Sequence, residues 1–390
     1  MPVAVASASP KVSRVQSIDV IRGVVMVLMA IDHVRVYSGL PAGGPTAGIF
    51  FTRWVTHFCA PAFVFLAGTS AFFAGRTRTP SELSRLLVVR GAWLAVLELT
   101  LIRICWTFNL DYAHYVLLGV IWMLGVCMVL MAPLARLPLR TIATFGLIVI
   151  LAQNAIGLAG PHIPESAVWT SAFFQVLWFG GVFRFSPEGP AIAVLYSIVP
   201  WIGVMASGYA FGAILLREPA SRDRACLWIG LSLTSAFLIL GSAGAVFGGA
   251  ANGRPFLFRL LSQQKYPASQ LFLMMTLGPT IALMPVAGRL TGAIGRFFST
   301  FGRVPFFYYL LHIPLIHASA LVVSLVREGR VDPWLFGNHP MMPPNVPPGY
   351  RWSLPLLYLD FAIVIALLYL PCRWYAGVKA RRPHGRLQYL

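Results

Sequence analysis

The residues best suited to chemistry lie at the two ends of one apolar stretch near the N-terminus. Asp19 and Arg22 open this stretch in SIDVIRG, and Asp32 and His33 close it in MAIDHVRV. Ionisable groups inside an apolar helix cost several kcal/mol and usually face a protein interior or a wet cavity. Arg22 and His33 are eleven residues apart, which places them on nearly the same helical face, about 16 Å from each other along the axis. This spacing predicts one hydrated tunnel that both side chains share.

A histidine next to an aspartate is typical of a general base, because a carboxylate orients an imidazole and tunes its proton affinity. His33 is therefore the first candidate for a catalytic base, with Asp32 as its helper. His57, in VTHFCAPAF, lies at a similar depth in the next apolar stretch and is the second candidate. Simpler interpretations stay open: a water-exposed position at the membrane interface for His33, a structural hydrogen bond for His57, and an anchor at the lipid headgroups for Asp19 and Arg22.

Further ionisable residues in or beside the apolar stretches belong to a predicted substrate site. Glu98 and Arg103 lie five residues apart on different helical faces, so each needs a partner on another element. Lys265 precedes the eighth predicted span, and His312 lies near the middle of the ninth. A buried salt-bridge network is the alternative for Glu98 and Arg103. The predicted substrate-binding residues are Asp19, Arg22, Glu98, Arg103, Asp111, Lys265 and His312.

The composition predicts an all-α polytopic membrane protein. Of the 390 residues, 58% are apolar and 11% are charged, whereas a soluble domain carries about 25% charged residues. Apolar runs recur that are long enough to cross a hydrocarbon core of about 30 Å. The segment 291–303 (TGAIGRFFSTFGR) predicts either an interfacial amphipathic helix or a loop. About ten spans are predicted, near residues 17–36, 50–74, 88–107, 113–133, 140–159, 190–215, 225–247, 269–289, 304–326 and 353–375.

The distribution of lysine and arginine predicts the orientation of these spans. The tails and alternate loops hold 19 of these residues, and the remaining loops hold nine. Because positive residues collect in cytoplasmic loops, both termini are expected in the cytoplasm. The predicted organisation is a cytoplasmic N-tail (1–16), a single transmembrane domain (17–376) and a basic cytoplasmic C-tail (377–390).

Composition and motifs also exclude several functions. The net charge of +18 follows from membrane topology and does not indicate a nucleic-acid partner. The sequence has no Walker loop, no Rossmann glycine pattern and no metal-ligand spacing, so ATP, NAD and metal ions are not implied. The five cysteines are scattered and do not form a CxxC pair.

Several stretches along the chain carry a resemblance to a known family: SIDVIRG, MAIDH, THFCAPAFVFLAGTS, LELTLIR, PWIGVMASGYAFG, QKYPASQLFLMMTLGP, GRVPFFYYLLHIPL and the closing SLPLLYL and LPCRWYAGVKAR. They resemble a family of bacterial integral membrane proteins that is grouped with the catalytic domain of heparan-α-glucosaminide N-acetyltransferase. The resemblance covers essentially the whole chain. It implies an acetyl group taken from cytosolic acetyl-CoA, an acceptor on the opposite face of the membrane, and a location in the bacterial cytoplasmic (inner) membrane.

The resemblance also bears on the base. A wider superfamily of membrane acyltransferases has Asp-x-x-Arg at the start of its first span and a catalytic histidine eleven residues after that arginine. Asp19, Arg22 and His33 match this spacing. The lysosomal branch differs, because its proposed histidine lies later, in the first lumenal loop. Here the corresponding loop, 37–49, contains no histidine and the next one is His57, so the base is either His33 or His57.

The predicted function is therefore a membrane-embedded acyltransferase with a histidine as general base or as a transient acyl carrier. Its expected partners are the lipid bilayer, an acyl-CoA donor and an extracytoplasmic sugar or other hydroxyl or amine acceptor, and no tightly bound cofactor is expected. Arg103 or His57 is predicted to stabilise the oxyanion. A proton-coupled transporter is the alternative, because Pro200 is expected to break the sixth span. A non-catalytic scaffold is a third possibility.

Overall fold

The computed structural model describes residues 15–44, 46–158, 162, 168–248 and 253–381. The predicted N-tail therefore lies outside the described residues except for its last two, and the C-tail except for its first five. The described chain is mostly helical.

The described chain contains 18 α-helices and three short strands. The α-helices are α1 Gln16–Tyr37, α2 Ala47–Trp54, α3 Cys59–Gly75, α4 Pro80–Leu97, α5 Arg103–Thr107, α6 Val120–Leu134, α7 Leu139–Ala152, α8 Asn154–Gly157, α9 Val168–Phe174, α10 Val199–Phe211, α11 Pro219–Phe247, α12 Phe256–Leu261, α13 Gln270–Ala282, α14 Met284–Arg289, α15 Gly292–Arg303, α16 Pro305–Glu328, α17 Trp334–Gly337 and α18 Leu354–Arg381. The strands are β1 Tyr115–Leu118, β2 Gly181–Phe183 and β3 Ala191–Val194. Short 3-10 turns (Val55–Phe58 and Ile214–Leu216) and π-helical turns (Glu98–Ile102 and Gln175–Phe179) extend neighbouring helices.

Among the described residues, six helical segments are long and apolar enough to cross a membrane, judged by length and composition. They are Ala47–Gly75, Val199–Leu216, Pro219–Phe247, Gln270–Arg289, Pro305–Glu328 and Leu354–Arg381. In α11 only 17% of the apolar window is buried, and Trp228 and Phe247 are 69% and 84% exposed. An apolar surface of this extent along a whole helix requires a hydrocarbon environment. The predicted class, an all-α multi-pass membrane protein, is confirmed at this level.

Two of the predicted spans begin with a strand instead of a helix. The sequence predicts helix throughout 113–133 and 190–215, but β1 and β3 occupy the first part of each. The two strands pair in parallel, and β2 pairs antiparallel with β3, in the order β1–β3–β2. The apolar pattern of a short run is the same for a buried helix and a buried strand. The strand partner that decides between them lies far away in the chain, since Tyr115 lies opposite Ala191.

Two further expectations concern helix boundaries. Pro200 lies in the first turn of α10, which begins at Val199, so the predicted break in the middle of the sixth span is wrong. A proline costs little at this position, because the first N–H groups of a helix have no partner within the helix. The segment 291–303 forms the helix α15 from Gly292 onward, which decides between the helix and the loop.

The helix α1 lies at the centre of the fold, in contact with α3, α14, α15, α16 and α18. Glycines allow the closest approaches. A Cβ atom added to Gly23 would lie 1.8 Å from the carbonyl oxygen of Phe298, and one added to Gly302 would lie 1.8 Å from that of Asp19. Small residues at helix contacts are typical of membrane bundles, since they let backbones pack directly against each other. This packing fixes α1, with its charged residues, inside the bundle.

Candidate active site

One cavity of about 300 Å³ runs along α1. We call the end of the bundle where α1 begins the basal end, and the end where α1 finishes the apical end. Arg22 lines the cavity toward the basal end, and Asp32 and His33 line it toward the apical end. Arg22 and His33 therefore lie in the wall of the same cavity, as their helical spacing predicts. Most of the remaining wall comes from α3, α4, α6 and α16.

The imidazole of His33 is paired with that of His312 from α16. His33 Nδ1 lies 2.7 Å from His312 Nε2, and His312 Nδ1 lies 2.7 Å from the carbonyl oxygen of Tyr309. The two rings are stacked with their centroids 4.8 Å apart, and the edge of Trp106 packs against His33 at 4.9 Å. His312 is fully buried. Two elements far apart in the sequence thus meet in a histidine pair.

The hydrogen bonds assign the tautomers of this pair. A carbonyl oxygen only accepts, so His312 Nδ1 carries a proton and donates it to Tyr309. In a neutral ring His312 Nε2 is then an acceptor, and His33 Nδ1–H donates to it. His33 Nε2 is left with a lone pair on a ring that lines the cavity. The arrangement is that of a general base whose second nitrogen is held by another group.

The carboxylate of Asp32 is held by two arginines. Arg35 Nε donates to Asp32 Oδ1 at 2.8 Å, and Arg53 Nη1 donates to Oδ2 at 2.9 Å. Arg53 Nη1 also donates to Thr56 Oγ1 at 2.9 Å. The structure therefore gives His312, and not Asp32, as the partner of His33 Nδ1. Asp32 instead organises the cations beside the apical part of the cavity.

Replacing Asp32 by asparagine is expected to destabilise the protein. The side chain of Asp32 is 17% exposed, and those of Arg35 and Arg53 are 11% and 12% exposed. Removing one member of a buried ion pair leaves charge without compensation, at a cost of roughly 3–5 kcal/mol. Thermal unfolding of the detergent-solubilised protein measures this loss as a lower midpoint.

Asp111→Asn is the matched control for that measurement. Asp111 forms an ion pair with His114 at 2.7 Å, but these two side chains are 41% and 79% exposed. Exposed pairs of this kind contribute about 0–1 kcal/mol. Equal midpoints for Asp32→Asn and Asp111→Asn would contradict the structural role assigned to Asp32.

The basal part of the cavity is lined by cations. Arg22, Arg303 and Lys379 lie there, and Arg90 lies on the wall made by α4. Arg22 Nη2 donates to Ser70 Oγ at 2.6 Å and Arg22 Nη1 donates to the carbonyl oxygen of Gly302 at 3.3 Å. A group of basic side chains of this kind can bind phosphates.

Asp19 and Lys265 lie near the two ends of the cavity. Asp19 is buried, and its Oδ2 lies 3.9 Å from Nε of Arg303, one of the basal cations. Lys265 lines the apical part with Asp32 and His33. Its ammonium lies over two tyrosine rings, with Nζ 5.7 Å from the ring centroid of Tyr196 and 5.2 Å from that of Tyr266.

His57 and Glu98 do not line this cavity. The edge of the His57 ring packs against Phe272, with centroids 5.5 Å apart, and among the described residues its Nδ1 has no hydrogen-bond partner. Glu98 Oε2 accepts a hydrogen bond from the backbone N–H of Ile121 at 3.0 Å, in the first turn of α6. A carboxylate at the start of a helix accepts a hydrogen bond from an N–H that has no partner within the helix, and its charge interacts favourably with the helix dipole.

Arg103 and Asp111 also lie outside the cavity lining. Arg103 donates to the carbonyl oxygens of Asn109 at 2.9 Å and Asp111 at 2.5 Å, and to Thr107 Oγ1 at 3.0 Å. Arg103 therefore holds the turn after α5 through backbone atoms. The hydrogen bond and ion pair with His114 hold the pKa of Asp111 below its usual value.

Sequence reasoning missed several residues of the site. Arg53 had the clearest signal of these, because TRWVTH places a basic residue at the start of a predicted span. A basic residue at this position also resembles a headgroup anchor, so it did not indicate a site. Arg90, Tyr196, Arg303 and Lys379 carried no local signal that distinguishes them from ordinary basic or aromatic residues at membrane boundaries. Only the packing of distant helices brings them to one cavity.

Comparison with known proteins identifies the family of the chain. The family model for the heparan-alpha-glucosaminide N-acetyltransferase catalytic domain matches residues 14–247. The chain belongs to this family. A comparison with curated proteins finds no match. Membership in the heparan-alpha-glucosaminide N-acetyltransferase catalytic family, with the apolar helices described above, implies a membrane-embedded transferase of the acetyltransferase kind.

The matched region covers only part of the site. It contains α1 with His33 and the α3, α4 and α6 walls of the cavity. Lys265, Arg303, His312 and Lys379 lie after its end. The structure of this family member therefore adds four ionisable residues to the part of the site that the matched region contributes.

Proposed function

We propose that the protein is a membrane-embedded acyltransferase that moves an acetyl or other acyl group from cytosolic acyl-CoA to an extracytoplasmic sugar or other hydroxyl or amine acceptor. One observation carries this proposal: a single cavity joins the histidine pair to the basal cations. A donor with several phosphates and a long arm suits such a cavity, because its phosphates need cations and its thioester needs to lie beside the histidine that acts on it. Membership in an acetyltransferase family supports the same reaction class.

The proposed topology has ten crossings, with both termini in the cytoplasm of a bacterium and the protein in its cytoplasmic membrane. The excess of lysine and arginine in the tails and alternate loops supports this orientation. It makes the basal end of the cavity cytoplasmic. The tails 1–16 and 377–390 then flank one transmembrane domain, 17–376, that contains the whole site.

In this proposal the donor lies along the cavity. The phosphates of acyl-CoA contact basic residues at the basal end, such as Arg303 and Lys379. The pantetheine arm passes α3, where Ala60, Ala67 and Ala71 line the cavity with small side chains. The thioester then reaches the apical part near His33, about 16 Å along α1 from Arg22.

The transfer itself uses the lone pair on His33 Nε2. This nitrogen removes the proton from the acceptor hydroxyl or amine as the acceptor atom attacks the thioester carbonyl carbon. The carbonyl π electrons move to oxygen and return as the C–S bond breaks. The imidazolium of His33 gives its proton to the departing thiolate, which leaves as CoA. His312 accepts a hydrogen bond from His33 Nδ1 throughout, so that it stabilises the imidazolium and keeps the ring oriented.

The test is a transfer assay with the protein in sealed liposomes. Acetyl-CoA labelled in the acetyl group is supplied on one side, and glucosamine is supplied on the other. The expected result is labelled N-acetylglucosamine in the acceptor compartment, together with free CoA in the donor compartment. Passage of glucosamine without consumption of acetyl-CoA would instead support the transporter and contradict the proposal.

A further inference from the structure

The apical part of the cavity has an excess of positive charge. Lys265 and Asp32 line this part, and Arg35 and Arg53 lie beside it, because both arginines pair with the Asp32 carboxylate. Lys265 is only 8% exposed. In the part of the chain that the structure describes, its ammonium has no carboxylate oxygen within 4 Å and lies over the faces of Tyr196 and Tyr266. Burying a cation in this way is costly unless an anion offsets the lost hydration.

The loop that carries Lys265 is firmly held. Ser269 N–H donates to the carbonyl oxygen of Gln264 at 3.0 Å, and Lys265 forms a bridge with Ala268. Ser269 Oγ in turn accepts from the N–H of Phe272 in the first turn of α13. The fold therefore fixes the backbone of Lys265 beside the cavity, unlike that of a lysine on a flexible surface loop.

The two tyrosines complete the surroundings of this ammonium. The hydroxyl groups of Tyr196 and Tyr266 lie 3.4 Å apart, and Tyr266 is 36% exposed. Burial alone raises the pKa of the Tyr266 phenol, but Lys265 and Arg53 outweigh it and bring that pKa below its usual value. The field in this region thus favours negative charge. Aromatic faces with a polar tip also suit contact with a sugar ring.

We propose that Lys265, supported by Arg53, binds an anionic oxygen group of the acceptor, so that acidic sugars are preferred as acceptors over sugars without an acidic group. This inference rests on the proposed function, because it names the acceptor class for the same cavity. The phosphates of acyl-CoA do not meet this requirement, since in that function they contact the basal cations at the other end. An acidic group on Lys265 would instead hold the acceptor next to His33, which lines the same part of the cavity.

A binding measurement tests the inference without any acyl transfer. Glucuronic acid is compared with glucose and with acetate, which carry the ring alone and the carboxylate alone, by thermal stabilisation of the purified protein. Glucuronic acid is expected to bind at least about tenfold more tightly than either, as one charge-assisted contact provides. Equal stabilisation by glucose would overturn the inference, and so would equal stabilisation by acetate.

Variants then assign the effect to the ammonium. Lys265→Met should remove the preference for glucuronic acid, and Lys265→Arg should retain most of it. Arg330→Met is the control, because Arg330 is an exposed cation that does not line the cavity. If Lys265→Met keeps the preference, Lys265 is not the anion site.

An activity measurement separates this inference from the proposed function. Lys265→Met should lower kcat/KM for transfer to glucuronic acid about tenfold more than it lowers kcat/KM for transfer to glucose, whereas Arg330→Met should leave both values at the wild-type level. An equal loss of transfer to both sugars in Lys265→Met would overturn the inference, because it would place the ammonium on the thioester oxygen. Transfer by the wild type to glucose and glucuronic acid at equal kcat/KM would also overturn it, and would leave the acyltransferase proposal intact.

Discussion

Replacing His33 by glutamine is expected to lower acyl transfer by about 10²–10⁴-fold, the usual contribution of a positioned general base. Glutamine has a side-chain amide that can still donate to His312 Nε2, so the buried partner keeps a hydrogen bond. What glutamine lacks is a lone pair of suitable basicity at the position of His33 Nε2. The measurement is the rate of label transfer from acetyl-CoA in single-turnover conditions, where binding and chemistry are separate.

His57→Gln is the matched control, and it decides between the two candidate histidines. The ring of His57 packs against Phe272 and does not line the cavity, so its replacement should leave transfer within a few-fold of the wild-type rate. The binding of CoA, measured by thermal stabilisation, should be the same in both variants. Loss of transfer in His57→Gln with normal transfer in His33→Gln would identify His57 as the base and contradict the assignment.

The part of the site that lies on α1 could be predicted from the sequence, because helical periodicity is a local property. The spacing of Arg22 and His33 needs only the geometry of one helix to place both on one side of it. The long apolar stretches likewise predict helices wherever length and hydrophobicity agree, as in α11, α16 and α18. These expectations depend on residues close together in the chain, and they hold in the folded protein.

The partners of these residues could not be predicted, because they come from elements far apart in the sequence. His312 is 279 positions from His33, and only the packing of α16 against α1 brings the two rings together. Arg53 is 21 positions from Asp32 and competes successfully for its carboxylate. A charged residue in an apolar segment therefore indicates that it has a partner, but the sequence does not identify that partner.

The same limit explains the residues that the structure places elsewhere. Glu98 and Arg103 are polar residues in an apolar stretch, which by itself suggests a site. In the structure both bind backbone groups: Glu98 accepts from the N–H of Ile121, and Arg103 donates to carbonyl oxygens after α5. Helix ends and turns inside a bundle need such partners as much as a substrate does. Polar residues in a span thus indicate side chains that have buried partners, but they do not show whether a partner is the backbone or a substrate.

Replacing Ala67 by phenylalanine is expected to lower acyl transfer by roughly 10²-fold or more, because the larger side chain obstructs the cavity between its two ends. Ala67 lines the cavity on α3, on the same face as Ala60, Ala71 and Ala74. A phenylalanine ring there would fill the space through which the pantetheine arm passes in the proposed function. A thioester displaced even by about 1 Å loses this much rate, since attack requires close and aligned contact.

The control is Ala92→Phe, which makes the same change on the exposed face of α4. Ala92 does not line the cavity, so this variant should transfer acyl groups at the wild-type rate. Both variants should unfold at similar temperatures, because the ring at position 67 enters space that is already open. The two ends of the cavity also respond differently: the stabilisation of Ala67→Phe by acetyl-CoA should weaken, whereas its stabilisation by glucuronic acid should persist. Undiminished transfer in Ala67→Phe would show that the donor does not pass along α3, because a donor that did so could no longer reach His33.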